Sequence, residues 1–363
     1  MTISLPHGAT LHPLELPARA DAGPTPLIRA YADVRNASQA EVTGRDDDHL
    51  TAEALLAILH SDADLTRTQW YVERDGVMIG CAAVNVPQDD GAVTGFGTIA
   101  LLRAHWGLGL GSRILTELEA HARSVGVRRL LTWAEHHDEG ATGTLASPTG
   151  FGSVPADHAA RFLHRQGYRL EQVERVSALV WDDTTTDRLA SLRAEAENHA
   201  HAYRVVQWML PTPDEHITGY AWMKSRMSTD APDADLGMPL EVWDAERVRR
   251  HDARFAARGK TVQVTAAQHV ASGELCAFNE LAIGRDTTSA TNQQDTLVLA
   301  DHRGHRLGLL VKVAGLLSWR EQHPLSPRVV TYNAEENRPM LSINETIGFA
   351  PVAYEGAWKK ELT

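Results

Sequence analysis

The sequence predicts an α+β fold in which one module of mixed strands and helices occurs twice. Three observations carry this. Two glycine-rich loops, Trp106-Gly107-Leu108-Gly109-Leu110-Gly111-Ser112 and Arg303-Gly304-His305-Arg306-Leu307-Gly308, each stand between an apolar run and an amphipathic segment. Gly76 precedes Gly111 by the same interval that separates Gly273 from Gly308, and each upstream glycine opens a buried-type run containing Cys81 or Cys276. Beyond the loops, Gly167-Tyr168-Arg169 is answered by Gly348-Phe349-Ala350. A recurrence of this kind reads as a tandem duplication. The first copy is lengthened by a Gly-, Ser- and Thr-rich surface insertion over 135–155.

In the first copy a short strand is predicted over 10–16, followed by helices over 26–40 and 52–60. Residues 69–73 and 77–86 form a hairpin around Asp75-Gly76, a dipeptide suited to a tight turn. Residues 98–102 feed the glycine loop, and the helix over 112–125 sets Ile114, Leu115, Leu118 and Ala122 on one face. A strand over 129–133, a helix over 157–166 ended by Gly167, and a closing strand over 169–181 complete the copy. An Ala-rich, charged segment over 187–199 reads as a linker helix.

The second copy repeats the order with a strand over 203–209 and helices over 214–227 and 240–258. Its hairpin pairs 261–270 with 274–283, and its loop-feeding strand is 295–300. The helix over 307–320, strand over 328–332, helix over 336–347 and closing strand over 351–359 follow. The expected domains are therefore 1–185, a linker over 186–202, and 203–363. Each is a mixed, mostly antiparallel sheet flanked by helices.

With 23% charged and 43% hydrophobic residues the chain is an ordinary globular one. Its net charge of −12 speaks against a nucleic-acid partner, which needs a basic stripe, and suits a small cationic amine or peptide. Two cysteines in apolar strands provide neither a disulfide framework nor a CxxC metal site. The sequence shows no apolar stretch of membrane-spanning length and no basic-then-apolar leader, so a cytoplasmic monomer or homodimer without a membrane partner is expected. Glu135-His136-His137-Asp138-Glu139 lacks the i, i+4 histidine spacing of a helical metal site. It reads as a solvated loop, and no metal is expected.

A strand, a glycine loop and a helix aim free N–H groups and a positive helix end at a phosphate. At these loops the chain resembles the GNAT acyl-coenzyme A N-acyltransferase superfamily, whose loop reads [Q/R]-x-x-G-x-[G/A]. Arg303 and Gly308 fit that pattern, with Arg306 in the usual glycine position; Gly109 and Gly111 fit it, with Trp106 in place of Gln or Arg. Asn337 and Gly348-Phe349 are similar to the superfamily's late motif, with Asn344 at its tyrosine position. In the first copy Ala156 and Leu163 stand at the Asn and Tyr positions. The two-domain layout is similar to that of actinobacterial tandem members, distantly including mycothiol synthase.

The resemblance implies acetyl-CoA as cosubstrate and an N-acetyltransferase acting by direct attack of a primary amine. In the second copy the implied contacts are Val298, Leu299, Ala300, Arg303, Gly304, His305, Arg306, Leu307, Gly308 and Asn337. In the first they are Gly107, Gly109, Gly111 and Ser112. A side chain at Arg306 calls for an ordinary right-handed backbone there. Direct attack needs a base to deprotonate the amine. Asp295, at the start of the second loop-feeding strand, and Glu280, on its hairpin neighbour, are the candidates, raised towards neutrality by burial. A turn Asp and a solvated Glu are the alternatives. Tyr332 is the candidate proton donor, with aromatic packing as its alternative. The first copy has no acid on Gly97-Thr98-Ile99-Ala100-Leu101, so the second copy is expected to be catalytic and the first silent. A non-catalytic acyl-CoA-binding or regulatory protein is the other reading.

Overall fold

In the computed structural model, which describes residues 2–362, the duplication is plain, but the two copies share their strands. The first copy runs β1 (Ile3–Ser4), β2 (Thr10–Pro13), α1 (Pro26–Thr43), α2 (Ala52–Leu59), β3 (Leu65–Arg74), β4 (Val77–Pro87) and β5 (Thr94–Leu101). It continues with α3 (Leu110–Ser124), β6 (Arg129–His136), a small hairpin of β7 (Thr144–Ala146) and β8 (Ser153–Pro155), α4 (His158–Arg165) and β9 (Arg169–Val180). The linker helix is α5 (Thr185–Glu197). The second copy runs β10 (Tyr203–Met209), α6 (Asp214–Asp230), α7 (Ala245–Ala257), β11 (Thr261–His269), β12 (Leu275–Ile283) and β13 (Thr291–Val298). It ends with α8 (Leu307–Gln322), β14 (Arg328–Ala334), α9 (Arg338–Ile347) and β15 (Ala350–Glu361).

Local chemistry explains most boundaries. Thr25 caps α1 through Ile28 N–H, Pro26 pre-sets its first turn, and Gly44 ends it in the left-handed region at φ 65°. Asp75 and Gly76 both take positive φ, 52° and 77°, as a two-residue hairpin turn requires. On α3 the predicted apolar face, Ile114, Leu115, Leu118 and Ala122, is the buried one. In contrast, α8 is buried nearly all round, because β11 and β12 lie on one side and α5 on the other. β12 is buried along its whole length for the same reason, between α8 and α6.

The strands form a 13-stranded sheet in the order β1-β2-β3-β4-β5-β6-β15-β9-β14-β13-β12-β11-β10. The closing strands are thus exchanged. β15, last in the second copy, pairs antiparallel with β6 of the first, from Tyr354 opposite His136 to Glu361 opposite Arg129. β9, last in the first copy, pairs with β14 of the second, and β9 and β15 pair with each other at the centre. The packing follows the pairing: Trp358 of β15, 1% exposed, lies in the first copy's core with Leu118 and Leu130, and Leu179 of β9 lies in the second copy's core with Leu307 and Val329. Division of the chain at residue 185 separates the sequence repeats but not the folded bodies.

In each copy the loop-feeding strand pairs in parallel with its neighbour only at its start. β5 meets β6 from Thr94 opposite Arg129 to Phe96 opposite Leu131, and then the two diverge. β13 meets β14 only at Thr291 opposite Val329 and Asn292 opposite Val330. Each divergence leaves a wedge beside a glycine loop.

Candidate active site

The two loops have nearly the same backbone. Gly107 and Gly304 take φ of 75° and 88°, and Gly109 and Arg306 take 74° and 54° as N-caps of α3 and α8. Arg306 therefore adopts the left-handed conformation, contrary to the sequence expectation, at a cost of about 1–2 kcal/mol for a residue with a Cβ. Its guanidinium pairs with Glu195 of α5. Arg303 points to Asp230, 3.8 Å away. Both arginines of the second loop thus face carboxylates while remaining exposed.

The wedges differ more than the loops. The first opens into a cavity of about 470 Å³ bounded by Thr98–Leu101 on β5, the 105–112 loop, Trp133 and Glu135 on β6, and Glu355 on β15. Among the described residues the amides of 107–112 donate to no protein carbonyl, as the first turn of a helix requires. Trp106 stacks on His158 at a centroid distance of 4.6 Å and donates from Nε1 to Leu101 O at 2.8 Å, which fixes one rim.

Buried side chains link β13, α8, α9 and β14 beside the second wedge. Gln293 Nε2 donates to Thr331 at 3.0 Å, Lys312 Nζ to Asn344 at 2.7 Å, and Asn344 Nδ2 to Asn333 at 2.7 Å. Burial pushes Lys312 down to about 7. A cavity of about 340 Å³ beside α5 takes in Leu310 but none of residues 303–308. Asn337, expected at the cofactor, caps α9 through Met340 N–H.

The sequence candidates for proton transfer separate. Lys224 of α6 lies between Glu280 at 3.3 Å and Asp295 at 2.5 Å, and Tyr220 Oη donates to Glu280. Asp295 sits within β13 rather than at its start. Burial opposes its charge, but Lys224 outweighs burial and holds its carboxyl below the usual value, the reverse of the expected rise. Glu280, 1% exposed, is not the solvated residue of the alternative reading. Tyr332 on β14 lies apart from both, and its Oη donates to Asp48 at 3.4 Å over the first copy's cleft.

A row of three glutamates crosses the centre of the sheet there. Glu355 on β15 pairs in register with Glu135 on β6 and with Glu174 on β9. Glu135 accepts from Arg45 Nη1 at 2.9 Å and Nη2 at 2.5 Å and lies 3.2 Å from His137. These bonds outweigh burial and keep it below the usual carboxylate range. Glu174 is raised by burial, although it accepts from Trp133 Nε1 at 2.7 Å. Among the described residues no donor is bonded to Glu355. Burial, then Glu174, Glu135 and Asp48, push it up to about 8 against the opposing charge of Arg45.

Of the stretch read as a solvated loop, Glu135 and His136 are instead the buried end of β6, while Asp138 and Glu139 are exposed beyond it. His136 is 4% exposed, with Nδ1 3.0 Å from Asp157 and Nε2 accepting from Trp358 at 3.1 Å. Asp157 also caps α4 through Ala160 N–H. Sequence reasoning missed Arg45, Asp157 and Glu355. The signal for Asp157 was its place just before a helix; Glu355 gave none, because its strand belongs by position to the other copy. Elsewhere Glu274, Cys276 and His302 bring ligating atoms within 4.8 Å of one another, so Cys276 does have a histidine beside it. Burial raises its thiol to about 11, unlike an activated nucleophile. Among the described residues no helix is long and apolar enough to cross a membrane.

Residues 31–151 match the acetyltransferase (GNAT) family. No curated protein matches the chain. The whole chain is similar in structure to a tandem GNAT protein from the clavulanic acid biosynthesis pathway, without AcCoA, with a TM-score of 0.72 and 22% identity over 98% of this chain and 99% of that one. It is also similar to a GCN5-related N-acetyltransferase from Sphaerobacter thermophilus, with a TM-score of 0.62 and 17% identity over 99% and 97%. These likenesses establish a tandem GNAT fold.

Proposed function

We propose that the protein, whose residues 31–151 match the acetyltransferase (GNAT) family and whose fold is that of a tandem GNAT protein, transfers an acetyl group from acetyl-CoA to a primary amine in the first copy's cleft. The observation that carries the reading is the cavity joining the 107–112 amides, the unpaired edge of β5 and the carboxylates of Glu135 and Glu355 in one continuous space. The amides and the positive end of α3 suit a pyrophosphate. The edge of Thr98–Leu101 suits the amide groups of a pantetheine arm, which would extend the sheet as a further strand. The carboxylates beyond suit an ammonium group on a small molecule or peptide.

This reading places catalysis in the opposite copy from the one expected by counting late-motif residues. The second copy, with its loop arginines facing carboxylates and buried side chains linked beside its wedge, serves as the structural partner that supplies β15. Calorimetric titration of acetyl-CoA tests the assignment. Gly111→Val sets a branched side chain where a Cβ already meets Phe162 at 3.3 Å, and should weaken binding at least about tenfold. Gly308→Val, next to Ile343, should leave one acetyl-CoA bound per chain. Loss of binding in the second variant alone returns the site to the second copy.

A further inference from the structure

We propose that Glu355, carried by the exchanged strand of the second copy into the cleft of the first, is the base that takes the proton from the acceptor amine. The proposal rests on the acetyl-transfer reading above and adds the residue that performs its proton step. It makes the active site a joint product of both copies.

The argument is one of elimination within the glutamate row. Glu135 is committed to Arg45 through two hydrogen bonds and to His137, so it serves as a fixed counter-ion. Glu174 is tied to Trp133 and does not line the cavity. Glu355 lines the cavity and, among the described residues, has no bonded donor. The groups facing it are Glu135 from β6, Glu174 from β9, Tyr332 from β14, and Arg45 and Asp48 from the loop after α1. Burial first, and then three acids against one arginine, make a carboxylate there a stronger base than one in water, with a midpoint of about 8 that approaches an alkyl amine's own range. β5 carries no acid in this copy, whereas Glu355 is brought to the cavity by β15.

The step balances as follows. An ammonium group enters beside the row and gives one proton to Glu355, which passes it to solvent after turnover. The neutral nitrogen attacks the thioester carbonyl, so a C–N bond forms and the C–S bond breaks. The second nitrogen proton neutralises the departing thiolate, giving the amide, free coenzyme A and one released proton.

The test measures thiol release from acetyl-CoA between about pH 6 and pH 10 for the full chain and for Glu355→Gln and Glu355→Asp. The acceptors are an alkyl diamine, an amino sugar, an aminoglycoside and a peptide with a free N-terminus, with acetyl-CoA binding followed in parallel. For the wild type, kcat/KM with the best amine should follow a bell, rising with a midpoint near 8 and falling as the amine loses its proton. Glu355→Gln should bind acetyl-CoA as before and lose roughly 100-fold or more in kcat near neutral pH. Its rate should climb with pH in proportion to the free amine, and Glu355→Asp should recover part of the loss. An unchanged pH profile in a Glu355→Gln enzyme within about twofold of wild-type kcat overturns the assignment while leaving the acetyl-transfer reading intact. Failure of the wild type to bind acetyl-CoA overturns that reading first. Binding without turnover of any amine on the panel counts against both.

Discussion

Glu355 lies directly opposite Glu174 across the β9–β15 ladder, so the two copies meet on a pair of like charges. Such a cross-strand pair is destabilising when both members ionise, and Glu355 answers by holding its proton to about 8. Its folded value is raised above the unfolded value of 4.5, so the contribution is fully favourable below 4.5 and is lost as pH rises through 8. Glu355→Gln should therefore unfold at a higher temperature than the wild type at about pH 9, by several degrees, and at nearly the same temperature at about pH 5. Thermal unfolding at the two pH values measures this. A gap of equal size at both would disconnect the residue from the charge row.

On the proposed reading the Lys224 cluster is a structural device. Replacement by methionine keeps the volume but strands Glu280, 1% exposed, without its counter-charge. The expected loss is roughly 3 kcal/mol, the lower end for breaking a buried ion pair. Urea unfolding of Lys224→Met should show it, while the folded variant binds acetyl-CoA like the wild type. A specific loss of acetyl-CoA affinity without loss of stability would point back to the second copy.

Local pattern carried the elements, and the elements could not reveal their partners. The turn at Asp75-Gly76, the apolar face of α3 and the glycine end of α9 are local, and each lies where spacing and residue type put it. The strand over 351–359 was equally legible as a strand. Nothing in Tyr354-Glu355-Gly356-Ala357-Trp358 says that Trp358 packs beside Leu118 rather than in its own copy. For the same reason Glu355 was invisible as a site residue, while Asp295 drew attention through its position on a loop-feeding strand. Its actual neighbour, Lys224, lies far away in sequence on α6. Of the late-motif residues, Asn337 caps α9 and Asn344 accepts from the buried Lys312, contacts that the motif pattern alone does not reveal.

Asp157 joins three tasks: it accepts from Ala160 N–H at 2.9 Å, from His137 N–H at 3.1 Å and from His136 at 3.0 Å. Burial disfavours its charge, but these bonds win and hold its carboxyl below the ordinary aspartate value of 3.8. Asp157→Ala should cost about 2–3 kcal/mol, combining a lost cap with an unpaired imidazole N–H. The folded value is depressed, so this stabilisation is full above 3.8 and is lost as pH falls through the folded value. Denaturant titrations should accordingly show the wild-type advantage at neutral pH and its narrowing in acid.

The exchange of β9 and β15 dictates how the chain unfolds. Removing the second copy would strip β6 of its partner from Tyr354 to Glu361, baring a row of unpaired backbone groups and the seat of Trp358. Removing the first copy would strip β14 of its pairing with β9 along its whole length. Neither copy is then a complete folding unit, and the two should melt together. Calorimetry of the whole chain is expected to give one transition whose calorimetric and van't Hoff enthalpies agree. Residues 1–202 and 203–363 produced as separate chains should each be insoluble alone and soluble as a one-to-one complex, because each then supplies the strand the other lacks. Two resolved transitions, or a soluble and folded first copy alone, would mean that the strands are not shared as the registers indicate. In that event Glu355 would also lose its place in the cleft.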